Sequence, residues 1–232
     1  MAFNFVEGEV LLIDKPEGWT SFDVVNFLRS FLRKIYNLKK LKVGHAGTLD
    51  PLATGLLIVC TGKKTKEIEK FQGMPKVYVG TMTIGATTPS YDLETEIDKT
   101  YGTEGIDKKL LQNVKNKFTG EIEQLPPAYS AVKIKGERAY QLARKQENPN
   151  LKKRKVFIES FELLSFDLPD IDFYVKCSKG TYIRSLVYDF GKALNSGAYL
   201  KKLRRTQIGE FNVNSAYTLD EFKAAVLKEK QG

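Results

Sequence analysis

Among 232 residues there is one histidine, one tryptophan and two cysteines. A lone His45 excludes most zinc sites and leaves any histidine-based triad or proton shuttle a single candidate. Cys60 and Cys177 each sit in an apolar, strand-like run. They read as two buried thiols, with a disulfide or metal role the lesser alternative. No apolar run reaches the ~18 residues of a membrane span. The N-terminus, MAFNFVEGEVLLID, carries Glu7 and Glu9 and lacks a basic-then-apolar signal pattern. A soluble, cytoplasmic protein with no membrane partner is expected. Neither a Walker A pattern nor GxGxxG occurs, so a nucleotide cofactor has no support.

What the chain has in excess is positive charge: 37 Lys and Arg against 28 Asp and Glu, a net +9. The excess is clustered. Residues 133–155 hold nine basic and two acidic residues. Residues 24–43 hold Arg29, Arg33, Lys34, Lys39, Lys40 and Lys42 with no acidic residue. Lys201, Lys202, Arg204 and Arg205 form a third group. One such cluster is ordinarily a solvated face; three in a small protein favour a polyanionic partner. An acidic membrane is disfavoured, because no basic amphipathic helix stands apart from the core pattern.

The pattern of elements predicts one α+β domain. A strand over Val10 to Ile13 leads through a turn into a helix capped by Thr20 or Ser21. Its apolar face is Val24, Val25, Leu28, Phe31, Leu32 and Ile35, which leaves Arg29 and Arg33 off it. A glycine-rich loop, 44–55, precedes a strand from Leu56 to Cys60. Further helices are expected over 66–71, 106–118 and 138–145. Further strands are expected over 77–84, 129–134, 156–158, 163–166 and 173–177, with Lys135-Gly136 as a turn and 87–101 as a loop. Thr181 is the expected cap of a helix with core face Ile183, Leu186, Val187, Phe190 and Leu194. Thr218-x-x-Glu221 is a capping box opening the last helix.

The chemistry concentrates in the loop GHAGTLDPLATG, Gly44 to Gly55. Its glycines permit positive φ and close approach of a ligand. Pro51 biases Asp50 toward an extended conformation. A carboxylate is thereby presented at a defined angle. On these residues alone, an ordinary turn with an Asx-type hydrogen bond fits equally well.

The loop resembles the catalytic motif of the TruB family of tRNA pseudouridine synthases. Other blocks share the resemblance in order and spacing, from about Gly8 to about Phe222: VLLIDKP with Gly18 and Ser21, the Lys76-Val77-Tyr78 strand, Leu125 to Lys133 with Gly136, Arg138 and Tyr140, the CSKGTYIRSL run from Cys177, and Leu203-Arg204-Arg205. The resemblance implies a pseudouridine synthase fold, a mixed and mostly antiparallel sheet flanked by helices. It implies a single catalytic domain over 1–232 with an RNA-binding insertion near 119–155. The implied activity is isomerisation of the uridine at position 55 in the T loop of tRNA, with the base flipped out and no cofactor or metal. The implied partner is the T arm of tRNA, bound by a monomer. Asp50 would be the nucleophile and Arg184 the guanidinium that aims it. Tyr78 would lie against the base and accept the C5 proton. His45 would enter the RNA loop where the flipped base had been. Tyr182 and Leu203 would line the uracil pocket, and Lys15 would lie near the active site.

Three departures from the family accompany these expectations. The chain is expected to lack the C-terminal PUA domain that many members carry. Thr87 to Asp92 differs from the usual threonine- and aspartate-rich version, with Asp92 as the matching carboxylate. Gln146 stands where a glycine is common, which implies an altered hinge. Two other functions share the sequence features: a non-catalytic RNA-binding or RNA-folding module, and isomerisation of uridines in another RNA.

Overall fold

The structure, a computed structural model, describes residues 3–130, 132–134, 136–145, 147 and 151–231. In chain order its elements are β1 (Val10–Lys15), α1 (Ser21–Ile35), β2 (Val43–His45), β3 (Thr54–Thr61), a 3₁₀ segment (Gly62–Glu67), α2 (Ile68–Gly73), β4 (Lys76–Ile84), β5 (Ala86–Thr87) and β6 (Lys99–Thr100). Then come α3 (Lys108–Asn116), β7 (Gly120–Gln124), β8 (Lys133–Ile134), β9 (Glu137–Arg138), α4 (Ala139–Arg144), β10 (Arg154–Leu163), β11 (Asp170–Cys177), α5 (Ile183–Ala193), β12 (Ala198–Ile208), β13 (Phe211–Asn212), a second 3₁₀ segment (Val213–Ser215) and α6 (Leu219–Gln231). Two compact units result, Met1–Tyr78 with Arg204–Gly232, and Val79–Leu203. The chain leaves the first unit within β4 and re-enters it within β12.

In the first unit β3 is central. It pairs antiparallel with β1, from Val10↔Cys60 to Lys15↔Gly55, and with β2 from Val43↔Thr61 to His45↔Val59. It pairs parallel with β12 at Arg204↔Thr54 and Arg205↔Gly55. One face of β3, Leu57 and Val59, packs under α1 and α6 with Leu28, Leu32, Phe222 and Val226. The other face, Leu56, Ile58 and Cys60, packs with Phe71, Ile208 and Val213. Burial on both faces explains why Leu56 to Cys60 is an unbroken apolar run. Each such side chain contributes about 1.5–3 kcal/mol.

The helices start where their caps place them. Asp23 N–H donates to the Thr20 hydroxyl and Thr20 N–H donates to the Asp23 carboxylate at 2.9 Å, a reciprocal box. Thr218 and Glu221 form the same box at the start of α6. The buried stripe of α1 is Val24, Val25, Leu28 and Leu32, with Arg29 and Arg33 off it as expected.

In the second unit the strand order is β12–β4–β11–β10–β7. β10 pairs antiparallel with both β11 and β7. Its core is an edge-to-face group of Phe161, Phe173 and Phe190. The α5 face expected from periodicity, Ile183, Leu186, Val187, Phe190 and Leu194, is buried throughout. Mixed, mostly antiparallel pairing with helices packed alongside is the α+β class that the sequence implies. Cys60 and Cys177 are free, buried thiols.

Several sequence expectations are corrected. The strands expected over 156–158 and 163–166 are one strand, β10, with a register shift between Ile158 and Ser160. Leu164 lies past its end and is exposed. The eleven-residue strand β12 was not expected at all, because its Lys-Lys and Arg-Arg pairs mask the strand pattern. Among the described residues of the 129–134 segment, only Lys133–Ile134 is strand. The 87–101 loop carries the small β5–β6 ladder. Tyr182, not Thr181, is the N-cap of α5; the Thr181 hydroxyl instead donates to Ser178 O at 2.9 Å. Gln146 and Lys135 lie outside the described residues.

Gly55 adopts φ +103°, and a Cβ there would meet Arg205 O at 2.3 Å. Gly18, at φ +80°, has open space around the same position. Gly18→Ala should therefore cost about 1 kcal/mol of backbone strain, and Gly55→Ala at least about 2 kcal/mol more. Urea unfolding midpoints check this; equal costs would show that β12 yields to the added methyl.

Candidate active site

Asp50 lies at a partly exposed position in the loop that joins β2 to β3. Three polar side chains fix the backbone on either side of it. Ser21, the first residue of α1 and buried, makes a reciprocal pair with Leu49. Leu49 N–H donates to the Ser21 hydroxyl at 2.8 Å, and that hydroxyl lies 3.2 Å from Leu49 O. Lys15, at the end of β1 and fully buried, donates from Nζ to Pro51 O at 3.2 Å, Pro16 O at 2.9 Å and Trp19 O at 2.6 Å. Pro51 O also accepts from Gly18 N–H at 2.9 Å. Arg205, on β12 and buried, donates from Nε to Leu56 O at 2.8 Å and from Nη2 to Gly47 O at 3.0 Å. Within the loop Ala53 N–H donates to Asp50 O at 3.1 Å. Gly47 and Gly55 supply the positive φ values that the path requires.

The electrostatics follow from burial. Removal from water pushes the Lys15 ammonium down to about 8; the negative charge of Asp50 pulls the other way and the positive charge of Arg205 adds to the fall. Burial, then the Arg205 charge, hold His45 below its ordinary value, against a hydrogen bond with the Gly47 backbone. At neutral pH its imidazole is uncharged and suited to stacking on a base. Tyr78 is buried where β4 leaves this unit. The neighbouring Arg204 forms a two-point ion pair with Asp14, at 3.0 and 2.6 Å. Asp14, Lys15, Trp19, Phe27, Thr54 and Arg204 also line a cavity of about 480 Å³.

Arg184, Tyr182 and Leu203 belong to the second unit. Arg184 lies in the first turn of α5 and is buried. Its Nη1 donates to Ser90 O at 3.0 Å, its Nη2 to Tyr129 O at 2.8 Å, and its Nε lies 3.5 Å from the Asp92 carboxylate. Asp92 is itself buried, and its own carbonyl accepts from the Thr88 and Ser90 hydroxyls. The backbone of Tyr182 is clamped at both ends by the Gln124 amide: Tyr182 N–H donates at 3.0 Å, and Gln124 Nε2 donates to Tyr182 O at 3.2 Å. The Arg154 guanidinium lies 4.9 Å from the centre of the Tyr182 ring. Leu203 is partly buried on β12.

Sequence reasoning missed Gln124, and it misread Ser21 and Arg205. Ser21 figured as a helix cap, yet it is the anchor of Leu49. The third basic cluster was read as a surface for a polyanion. Arg205 points into the protein, Arg204 is paired with Asp14, and Lys201 is paired with Asp170 at 2.5 Å. Arg205 falls among the buried positions of β12, a placement that residue type alone does not signal. Among the described residues no group of three or more His, Cys, Asp or Glu is placed to hold a metal.

Comparison with known proteins gives the geometry its family. Residues 33–183 match the TruB family pseudouridylate synthase N-terminal domain. Residues 184–232 match the tRNA pseudouridylate synthase B C-terminal domain. The chain belongs to the TruB family. It is 55% identical over 224 residues to the tRNA pseudouridine synthase B of Flavobacterium johnsoniae, covering 96% of this chain and 98% of that one. It is 54% identical over 219 residues to that of Phocaeicola vulgatus, covering 94% and 93%. Among solved structures, a chain of a Cbf5–Nop10–Gar1 complex superposes with TM-score 0.70 at 32% identity, covering 95% of this chain and 54% of that one. A chain of an H/ACA RNP bound to a substrate RNA containing 2′-deoxyuridine gives 0.70 at 28%, covering 98% and 56%. The chain thus spans about half the length of those two structural relatives. The pseudouridine synthase fold implied by the sequence is the fold of this TruB family chain.

The buried Lys15 gives a pH test. Its folded value, about 8, lies below the ordinary 10.5. Between those values the unfolded chain holds a proton that the folded chain has released, so stability rises with pH across that window. The difference in unfolding free energy between wild type and Lys15→Met should grow from pH 8 to 10.5 in urea titrations. A flat difference would show that burial leaves the ammonium unshifted.

Proposed function

We propose that this chain converts the uridine at position 55 in the T loop of tRNA to pseudouridine, with Asp50 as the nucleophile. The observation that carries the reading is the anchoring of the backbone around Asp50, at Gly47, Leu49, Pro51 and Leu56, in a chain of the TruB family. A carboxylate nucleophile requires no base to activate it. What it requires is aim, and a fixed backbone supplies that.

In this reading the target base leaves the RNA stack, which costs a few kcal/mol. Asp50 acts as the N1–C1′ bond breaks. The detached uracil turns in place and C5 bonds to C1′. The C5 proton is lost and N1 gains one, so the product is an isomer and no electrons are gained or lost. Tyr78 lies against the base and accepts the C5 proton. Tyr182 and Leu203 line the uracil pocket, and the neutral His45 fills the space the base has left. Lys15 fixes the loop from beneath. Arg184 aims the reacting carboxylate, supported by the fixed directions of its fork.

The T arm is the partner, met by a monomer in the cytoplasm and read largely by shape. The whole chain acts as one catalytic domain, with the segment near 119–155 reaching the RNA. Exposed Lys34, Lys39, Lys40 and Lys42 supply phosphate contacts. Binding should therefore weaken steeply with salt.

Unmodified tRNA carrying tritium at C5 of uridine 55 tests this directly. Wild type should release the label into water, and Asp50→Asn should release it at least about 10³-fold more slowly. Equal release by the two proteins would remove Asp50 as nucleophile, and no release by either would remove the activity. Arg184→Lys keeps the charge but not the three donors in one plane, and should lose at least about tenfold in rate. A rate within threefold of wild type would show that the fork is dispensable.

A further inference from the structure

Arg205 is a buried cation whose guanidinium donates to carbonyl oxygens at the two ends of the loop that carries Asp50. Its Nε and Nη2 hold Leu56 O and Gly47 O. Those residues enclose the span Thr48 to Gly55, with Asp50 inside it. The backbone of Arg205 also supports the loop, since it pairs with Gly55 and lies where a Gly55 side chain would be. Its neighbour Arg204 points the other way, onto Asp14. At 1% exposure Arg205 is out of reach of a phosphate. Ser21, also at 1%, grips Leu49 directly before Asp50.

We infer that Arg205 is a positioning residue of the reaction: it closes the base of the Asp50 loop, and Ser21 holds the loop's middle. This rests on the reading of Asp50 as nucleophile. Gly47 O and Leu56 O meet two nitrogens of one rigid plane, whereas an ammonium offers its donors from a single atom. A displacement of about 1 Å at a reacting group can cost about 10²-fold in rate. Loosening this clasp therefore acts on the chemical step and leaves RNA binding in place.

The experiment measures single-turnover tritium release at saturating T-arm RNA, RNA affinity, and the salt dependence of affinity. The proteins are wild type, Arg205→Lys, Ser21→Ala, the double variant and Asp50→Asn, each checked for cooperative melting. Arg205→Lys should slow the single-turnover rate by about 10- to 100-fold, with RNA affinity within threefold and an unchanged salt slope. Ser21→Ala should slow it by about three- to tenfold, and the double variant by less than the product, because both residues constrain one loop. A rate within twofold of wild type for Arg205→Lys overturns the inference. So does a loss that appears in affinity with a shallower salt slope, the mark of a phosphate contact. If Arg205→Lys does not fold, Ser21→Ala is judged by the same split between rate and affinity, and a rate within twofold of wild type overturns the inference. An active Asp50→Asn overturns the nucleophile reading itself; an inactive one beside an unimpaired Arg205→Lys overturns the positioning role alone.

Discussion

The side chain of Asp50 turns about two bonds, so where it points is decided mainly by the backbone of residues 44–55. That backbone depends on one close approach. β3 and β12 run parallel at Gly55 and Arg205, near enough that a single methyl group would collide with Arg205 O. The approach brings the Arg205 guanidinium under the loop, where it meets Gly47 O and Leu56 O. It sets the Arg205 charge beside His45, and it places Arg204 against Asp14. A glycine with positive φ is the smallest part of this arrangement and the one least open to substitution.

Two buried cations beside one loop, Lys15 and Arg205, are expensive to desolvate. Lys15 is met by three carbonyls and Arg205 by two, with distances between 2.6 and 3.2 Å. Backbone dipoles compensate the lost water but leave the charge itself in place. That distinguishes these two from Arg204, whose charge is matched by Asp14. The fall of the Lys15 value to about 8, partly opposed by Asp50, is the residual cost of this choice. The same carbonyl bonds that compensate the cations also hold the loop. Electrostatics and positioning are therefore served by one set of contacts.

Much of this was legible in the sequence, for physical reasons that differ by element. Thr218 announces its helix because a capping box is local, spanning four residues; the first helix was legible with its cap open between Thr20 and Ser21. The α5 face was legible because its stripe repeats at helical spacing. Leu56 to Cys60 was legible as a strand, though burial on both faces was not. β12 was missed because its inward positions are filled in part by arginine, and residue type alone does not separate a buried guanidinium from an exposed one. Ser21 was visible as a cap candidate and as a member of a matched block, but not as an anchor, since its bond to Leu49 crosses 28 residues of chain. Asp50 stood level with an ordinary turn residue until the matched blocks were considered. The loop anchors add what the blocks lack, a physical account of how the carboxylate is held.

The count of basic residues overstates how much charge is free, but a surface ion pair does not by itself withdraw a charge from use. Lys155 pairs with Glu121 at 2.9 Å and Lys153 with Glu123 at 3.8 Å, all four well exposed. Such pairs are worth about 0–1 kcal/mol, so an arriving phosphate can replace the glutamate at little cost. The Arg204–Asp14 pair is two-pointed and half-buried, and separating it forfeits two charge-assisted bonds. The buried Arg205 is further out of play. The basic groups thus divide by exposure and geometry into charges that can be lent to RNA and charges committed within the protein. The adjacent Arg204 and Arg205, identical in composition, belong to the second class for two different reasons.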